Sequence, residues 1–130
     1  MLDNVWLGLQ HAATFTNLWY CFVGVFIGTL IGVLPGIGAV ATIALMLPFT
    51  FSLNPTSAVI MLAGVYYGGA YGGSTTSILL NVPGQPSAAV TCLDGYPMAR
   101  QGRAGVALLG AAAGSFVGAS MGILMMMLAS

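Results

Sequence analysis

Across 130 residues this chain carries four formally charged side chains, Asp3, Asp94, Arg100 and Arg103, with one histidine, His11. A soluble domain normally holds roughly 25% charged residues. Here the share is 3%, against 58% hydrophobic residues. So few charges cannot solvate the surface of a water-soluble globule of this length. The mean hydropathy of +1.00 agrees. The expected environment is the lipid bilayer, and the expected class is an all-α membrane protein whose helices are broken by proline and glycine.

The same scarcity removes several chemistries. Without lysine the chain has neither a P-loop nor a Schiff-base nucleophile. Two arginines at zero net charge cannot neutralise a phosphate backbone, so no nucleic-acid partner is expected. Cys21 and Cys92 lie too far apart for a metal-binding spacing and read as small apolar residues, so no metal site is expected. No apolar run contains a His/Asp/Glu pair, and a serine without a base is a weak nucleophile. No catalytic residue is therefore assigned, and the chain is not expected to be an enzyme. No basic n-region precedes the first apolar stretch, which argues against a cleaved signal peptide.

A bilayer-spanning helix needs about 20 apolar residues. On that measure the chain divides into five parts of one transmembrane region, with about four spanning or re-entrant segments. Residues 1–17 are mixed in character and read as an interfacial helix with Trp6 at headgroup depth and His11 solvated. Residues 18–53 form a broken helical region: 18–34 is nearly span-length and begins with Trp19 and Tyr20. It meets Pro35, and the apolar run 39–53 is short and contains Pro48. Residues 54–91 open on Asn54 and Pro55, a cap followed by a first-turn proline, and continue through an apolar helix expected to end at Gly72 and Gly73. A polar, proline-broken stretch follows. Residues 92–105 hold three of the four charges and read as the main aqueous loop, placed in the cytoplasm by Arg100 and Arg103. Residues 106–130 are a final transmembrane helix, and an ending at the edge of such a helix suits the N-terminal portion of a longer protein. Met125, Met126 and Met127 read as helix filler.

Glycine is the second compositional signal. Gly24, Gly28, Gly32 and Gly36 recur every four residues, as do Gly110, Gly114, Gly118 and Gly122, with a third series at Gly64, Gly68 and Gly72. At 3.6 residues per turn each series is a smooth stripe that lets another helix backbone approach, so these residues are expected to pack helices. FVGVFIG from Phe22 and FVGASMG from Phe116 resemble each other, though seven residues do not define a repeat.

Two elements can carry chemistry. The first is the Pro35-Gly36-Ile37-Gly38 break inside an apolar run. Proline removes a backbone hydrogen bond, and unpaired backbone groups in hydrocarbon cost several kcal/mol each. Such a break is either a helix–helix turn or a broken helix lining a wet cavity, where half-helix N-termini face anions and freed carbonyls face cations. The second runs from Gly68 to Pro86. It holds Ser74, Thr75, Thr76 and Ser77, then Asn81, then Pro83, Gly84, Gln85 and Pro86, with Ser87 as a candidate cap. It reads as a re-entrant hairpin with its tip at Pro83-Gly84, or as an ordinary loop. Polarity without charge favours the membrane interior. Its donors suit a carboxylate and its oxygens suit Na⁺. Asp94, the one acidic residue away from the N-terminus, is either part of a solvated connector or a cation ligand.

With these motifs in view, the chain resembles the large membrane subunit of the tripartite tricarboxylate transporters. The likeness rests on GTLIGVLPGIG (28–38), LNPTSAVIMLAGVYYGGAYGGSTTSILLNVPG (53–84) and LDGYPMARQGRAG (93–105). It covers nearly the whole chain beyond the first dozen and a half residues. Two departures stand out: Ala39 follows the PGIG element where many members have proline or glycine, and Asn81-Val82-Pro83-Gly84-Gln85 replaces Asn-Thr-Pro-Gly-Glu. The resemblance implies a multi-pass permease of the bacterial inner membrane that carries tricarboxylates or related carboxylates on an Na⁺ or H⁺ gradient, with no other cofactor. It also implies a small membrane subunit and a periplasmic solute-binding protein as partners. The substrate-binding set expected from the two broken elements is Pro35, Gly36, Gly38, Ser74, Thr75, Thr76, Asn81 and Gly84. The alternative is a non-transporting, glycine-zipper assembly subunit, for which the glycine stripes matter and the hydroxyl cluster does not.

Overall fold

Asn54 and Pro55 set the longest central helix. In the computed structural model, which describes residues 2–129, the Asn54 side chain accepts a 2.9 Å hydrogen bond from the Ser57 amide, and Pro55 occupies the first turn. The described elements are α1 (Leu2–Ala12), α2 (Phe15–Gly32), α3 (Gly38–Thr50), α4 (Pro55–Leu80), a 3₁₀ turn (Pro86–Ala88), α5 (Ala89–Arg100) and α6 (Ala104–Ala129), and no strand occurs among the described residues. α2 and α6 are long and apolar enough to cross a bilayer. The chain is an all-α membrane protein. At 1.5 Å per residue the 13 residues of α3 extend only about 20 Å, short of the ~30 Å hydrocarbon core.

The centre of the molecule is the pairing of α2 with α4, and glycine makes it possible. A Cβ added at Gly32 would lie 2.5 Å from the Gly69 carbonyl oxygen, and one at Gly72 would lie 2.6 Å from that of Thr29. Gly24 faces Met61, Gly28 faces Val65, and Gly64 and Gly68 face Cys21 and Val25 in return. Residue numbers rise together along both helices, so the pair is parallel, with two glycine stripes interlocked. α3 brings the chain back alongside the pair. Its Ala39 meets Gly69, and Met46 joins Met61 and Val65 in a small core flanked by Tyr20, Ile27 and Ile43. At the opposite end, buried Ser57 donates 2.6 Å to Asn17 Oδ1, while Asn17 Nδ2 donates to the His11 carbonyl. That chain of bonds fixes the register of the two helix starts. Trp19, Phe22 and Phe26 stack along the outward face of α2, as suits contact with lipid tails.

Four local expectations are corrected. The N-terminal helix stops at Ala12, and residues 15–17 already belong to α2; Met1 lies outside the described residues. α4 does not end at Gly72-Gly73 but continues to Leu80, because Gly72 is packed against the end of α2 and Gly73 against the 84–85 segment, and the close approach offsets their poor helix propensity. The charged segment 92–105 is not a loop: α5 runs to Arg100, leaving a three-residue link in which Gly102 takes φ +79°. Ser87 does not cap a half-helix; it lies inside the 3₁₀ turn, and α5 starts from Ala88 without a side-chain cap.

Candidate functional site

Residues 33–37 separate α2 from α3 as a turn. The Val33 amide still donates to Thr29, 3.1 Å away, but Leu34 and Ile37 make only short-range turn bonds. Gly36 and Gly38 then adopt φ of +95° and +70°, conformations costly to residues with a Cβ. The Pro-Gly break is thus a helix–helix turn whose second half opens α3 toward a cleft.

The other side of that cleft is the segment after α4. Asn81 closes α4 in the left-handed conformation (φ 58°, ψ 28°), the common way for an asparagine to end a helix. The chain then doubles back, and Gly84 is pressed onto the helix pair. A Cβ there would lie 2.6 Å from Gly73 Cα and 3.1 Å from both the Gly32 carbonyl oxygen and Thr76 Oγ1. No other residue type fits that seat. From it the chain enters the 3₁₀ turn at Pro86 and continues as α5.

Between the two broken elements lies a cleft of about 460 Å³, lined by Gly36, Ile37, Gly38, Ala39 and Val40 on one side and Pro83, Gly84, Gln85 and Pro86 on the other. The start of α3 and the entry to the 3₁₀ turn therefore border one space, but only α3 brings first-turn amides to it, since Pro86 has no N–H and the Ala88 amide is bonded to the Gln85 carbonyl. The first N–H groups of a helix have no intrahelical partner, and the aligned peptide dipoles place partial positive charge there. No charged side chain is in the lining; the side-chain donor is the Gln85 amide. Such an arrangement attracts an anion without a fixed cation.

The expected site residues separate into two groups. Gly36, Gly38 and Gly84 line the cleft together, and Pro35 sits in the turn that shapes it. Ser74, Thr75, Thr76 and Asn81 do not line it. The hydroxyls are engaged within α4: Ser74 donates to the Ala70 carbonyl (3.2 Å), Thr75 to Tyr71 (3.0 Å), Thr76 to Gly73 (2.9 Å), and Ser77 to Gly73 (2.9 Å). Asn81 is exposed at the end of the helix. The expected set left out Ala39, Val40 and Gln85, which do line the cleft. The available signal was the position of all three within the first residues beyond a Pro-Gly element.

A family model described as the tripartite tricarboxylate transporter TctA family matches residues 18–130. The chain is also 55% identical over all 130 residues to a protein of Agrobacterium vitis described as "Uncharacterized 52.8 kDa protein in TAR-I ttuC' 3'region". It spans 26% of that relative's length. No solved structure matches.

Proposed function

The chain belongs to the tripartite tricarboxylate transporter TctA family, and from that premise we propose that it forms the N-terminal part of a carboxylate permease and supplies part of its solute site. The observation that carries this reading is the start of α3 facing the Gln85 amide across one uncharged cleft. Each helix terminus contributes about 0.3–1 kcal/mol toward a bound anion, and up to ~2 kcal/mol when partly buried. The α3 terminus and the Gln85 amide give a modest attraction, which a carrier needs in order to release its cargo. A buried arginine would hold a carboxylate through short, charge-assisted bonds and slow that release. In this reading the solute carboxylate sits against the amides of residues 38–40, and Gly84 keeps the opposite wall close. The Thr76 and Ser77 back-bonds hold the last turns of α4, on which Gly84 rests.

Transport is driven by an Na⁺ or H⁺ gradient. The last carbonyls of α4, beyond which Asn81 turns the chain aside, are oxygen donors of the kind Na⁺ takes. The permease works in the bacterial inner membrane as a multi-pass protein, with Arg100 and Arg103 on the cytoplasmic side. A small membrane subunit accompanies it, and a periplasmic binding protein delivers the solute.

The test is uptake of labelled di- and tricarboxylates by cells expressing the complete transporter that contains this segment. Val40→Asp puts a carboxylate where the solute's would sit, and Gln85→Leu removes the amide. Each is expected to lower uptake roughly tenfold or more, equivalent to at least about 1.4 kcal/mol. Asn81→Ala and Thr75→Ala are expected to leave uptake within about twofold, since neither residue lines the cleft. The reverse pattern would assign the solute to the hydroxyl cluster and end the cleft reading.

A further inference from the structure

α4 changes character at Gly72-Gly73. Up to Gly72 it lies backbone to backbone against α2, whose last residue, Gly32, meets Gly69 and Gly72. The next four residues all carry hydroxyls, and every carbonyl from Ala70 to Gly73 accepts one. Ser74 donates to Ala70 (3.2 Å) and Thr75 to Tyr71 (3.0 Å). Thr76 is shared between Gly72 (3.3 Å) and Gly73 (2.9 Å), and Ser77 donates to Gly73 (2.9 Å). Such bonds are not automatic for a hydroxyl in a membrane helix: among the described residues, Ser115 and Ser120 of α6 make none.

The run lowers the cost of bending. A carbonyl has two acceptor positions, and in lipid one that loses its amide partner must find another donor. Each of these four carbonyls already holds a second donor, so the turn can open there without stranding an acceptor. Back-bonded Ser and Thr bend helices, and paired glycine weakens the helix at the same point.

The two walls of the solute cleft stand on opposite sides of this point. Residues 36–40 follow α2 and are anchored before it, where Ala39 meets Gly69. Residues 83–86 come after it, and Gly84 rests on Gly73 and Thr76. α5 is tied to the far side, because Gly95 seats against Ile78 in the last turn of α4.

We propose that α4 is hinged between Gly72 and Ser77, and that bending there moves the end of α4 with residues 83–100 against α2 and α3, widening and narrowing the cleft. The hydroxyl run is then a conformational device and not a ligand set. Only the consequence for the solute rests on the cleft reading above; the hinge is tested without solute, so either can fail alone.

Amide hydrogen exchange is measured on the complete transporter that contains this segment, in phosphatidylethanolamine–phosphatidylglycerol vesicles. Residues 74–80 are expected to exchange at least roughly tenfold faster than residues 58–71 of the same helix. Removing all four hydroxyls (Ser74→Ala, Thr75→Val, Thr76→Val, Ser77→Ala) is expected to slow residues 74–80 roughly fivefold or more, because opening then strands the carbonyls. Hydroxyls that merely brace the helix end predict the opposite, faster exchange once they are gone. Gly73→Ala keeps the test in force should the fourfold variant fail to assemble. Its Cβ meets the flexible Gln85 side chain at 3.3 Å, and the expected slowing is about threefold. Faster or unchanged exchange in an assembled variant overturns the proposal. Movement of the wall is read as spin-label distances between Leu30→Cys on α2 and Leu93→Cys on α5, both exposed, with Cys21 and Cys92 replaced by alanine. Two distances are expected, the minor one lost in the same variants. A single distance common to parent and variants would overturn the proposal as well.

Discussion

The α2 and α6 glycine stripes have the same spacing, yet they occupy opposite situations. Gly24, Gly28 and Gly32 are buried against the backbone of α4. Gly110, Gly114, Gly118 and Gly122 have open space where a Cβ would be. A four-residue glycine period therefore marks a helix that can accept a close neighbour. Whether the neighbour is present within this chain depends on what else the sequence supplies: α2 finds the complementary stripe of α4, and no third partner stripe remains for α6.

That contrast can be tested most sharply by adding the same side chain to both stripes. Gly28→Leu drives a branched side chain into the Val65 carbonyl, where even a Cβ does not fit. The expected loss is about 3 kcal/mol or more, the upper end for overpacking, read as unfolding of the detergent-solubilised chain in a denaturant titration. Gly118→Leu in the same assay is expected to change stability by no more than about 0.5 kcal/mol. Comparable losses at the two positions would mean that the stripes do not differ in the way described.

The next effects lie at the two ends of the α2–α4 pair. Ser57→Ala removes the donor to buried Asn17 and is expected to cost about 1–3 kcal/mol, because the Asn17 oxygen loses its partner away from water. Gly36→Val forces a β-branched residue to φ +95°, with an expected penalty of about 1–2 kcal/mol or more and slower uptake through the cleft it lines. The smallest effects return to exposed positions. Gly114→Ala is expected to be neutral or to stabilise α6 by up to about 1 kcal/mol, since alanine is the better helix former and meets nothing there. Asn81→Gly keeps the left-handed helix end available and is expected to alter thermal stability by only a few tenths of a kcal/mol.

Much of the fold was legible because it follows from local chemistry. Asn54 and Pro55 announce the start of α4, the Pro-Gly element announces the α2–α3 break, and the scarcity of charge announces the bilayer. The candidate site was half legible. Gly36, Gly38 and Gly84 stood out as positions needing a special backbone or close contact, and they do share a cleft. The hydroxyl run misled because Ser and Thr in a membrane helix have two uses: binding a ligand, or bonding back to the carbonyl a turn earlier. Composition does not distinguish these, and here the second use is the observed one. Gly72-Gly73 misled for a related reason. Double glycine ends a helix in isolation, but here close packing of both glycines keeps α4 intact. The charged segment 92–105 looked like a loop by its charge, although its first nine residues are helical.

Four charges in 130 residues were enough to determine an all-α chain in a membrane, because lipid leaves backbone groups to satisfy one another and admits few ions. The glycine periods determined which helix faces are smooth. Only the tertiary structure decided which stripes meet, that α2 and α4 run parallel, and that the two Pro-Gly breaks face each other across one cleft. Those outcomes depend on residues about 40 to 50 positions apart, whose proximity comes from α3 returning the chain alongside α2 so that α4 can pack on it.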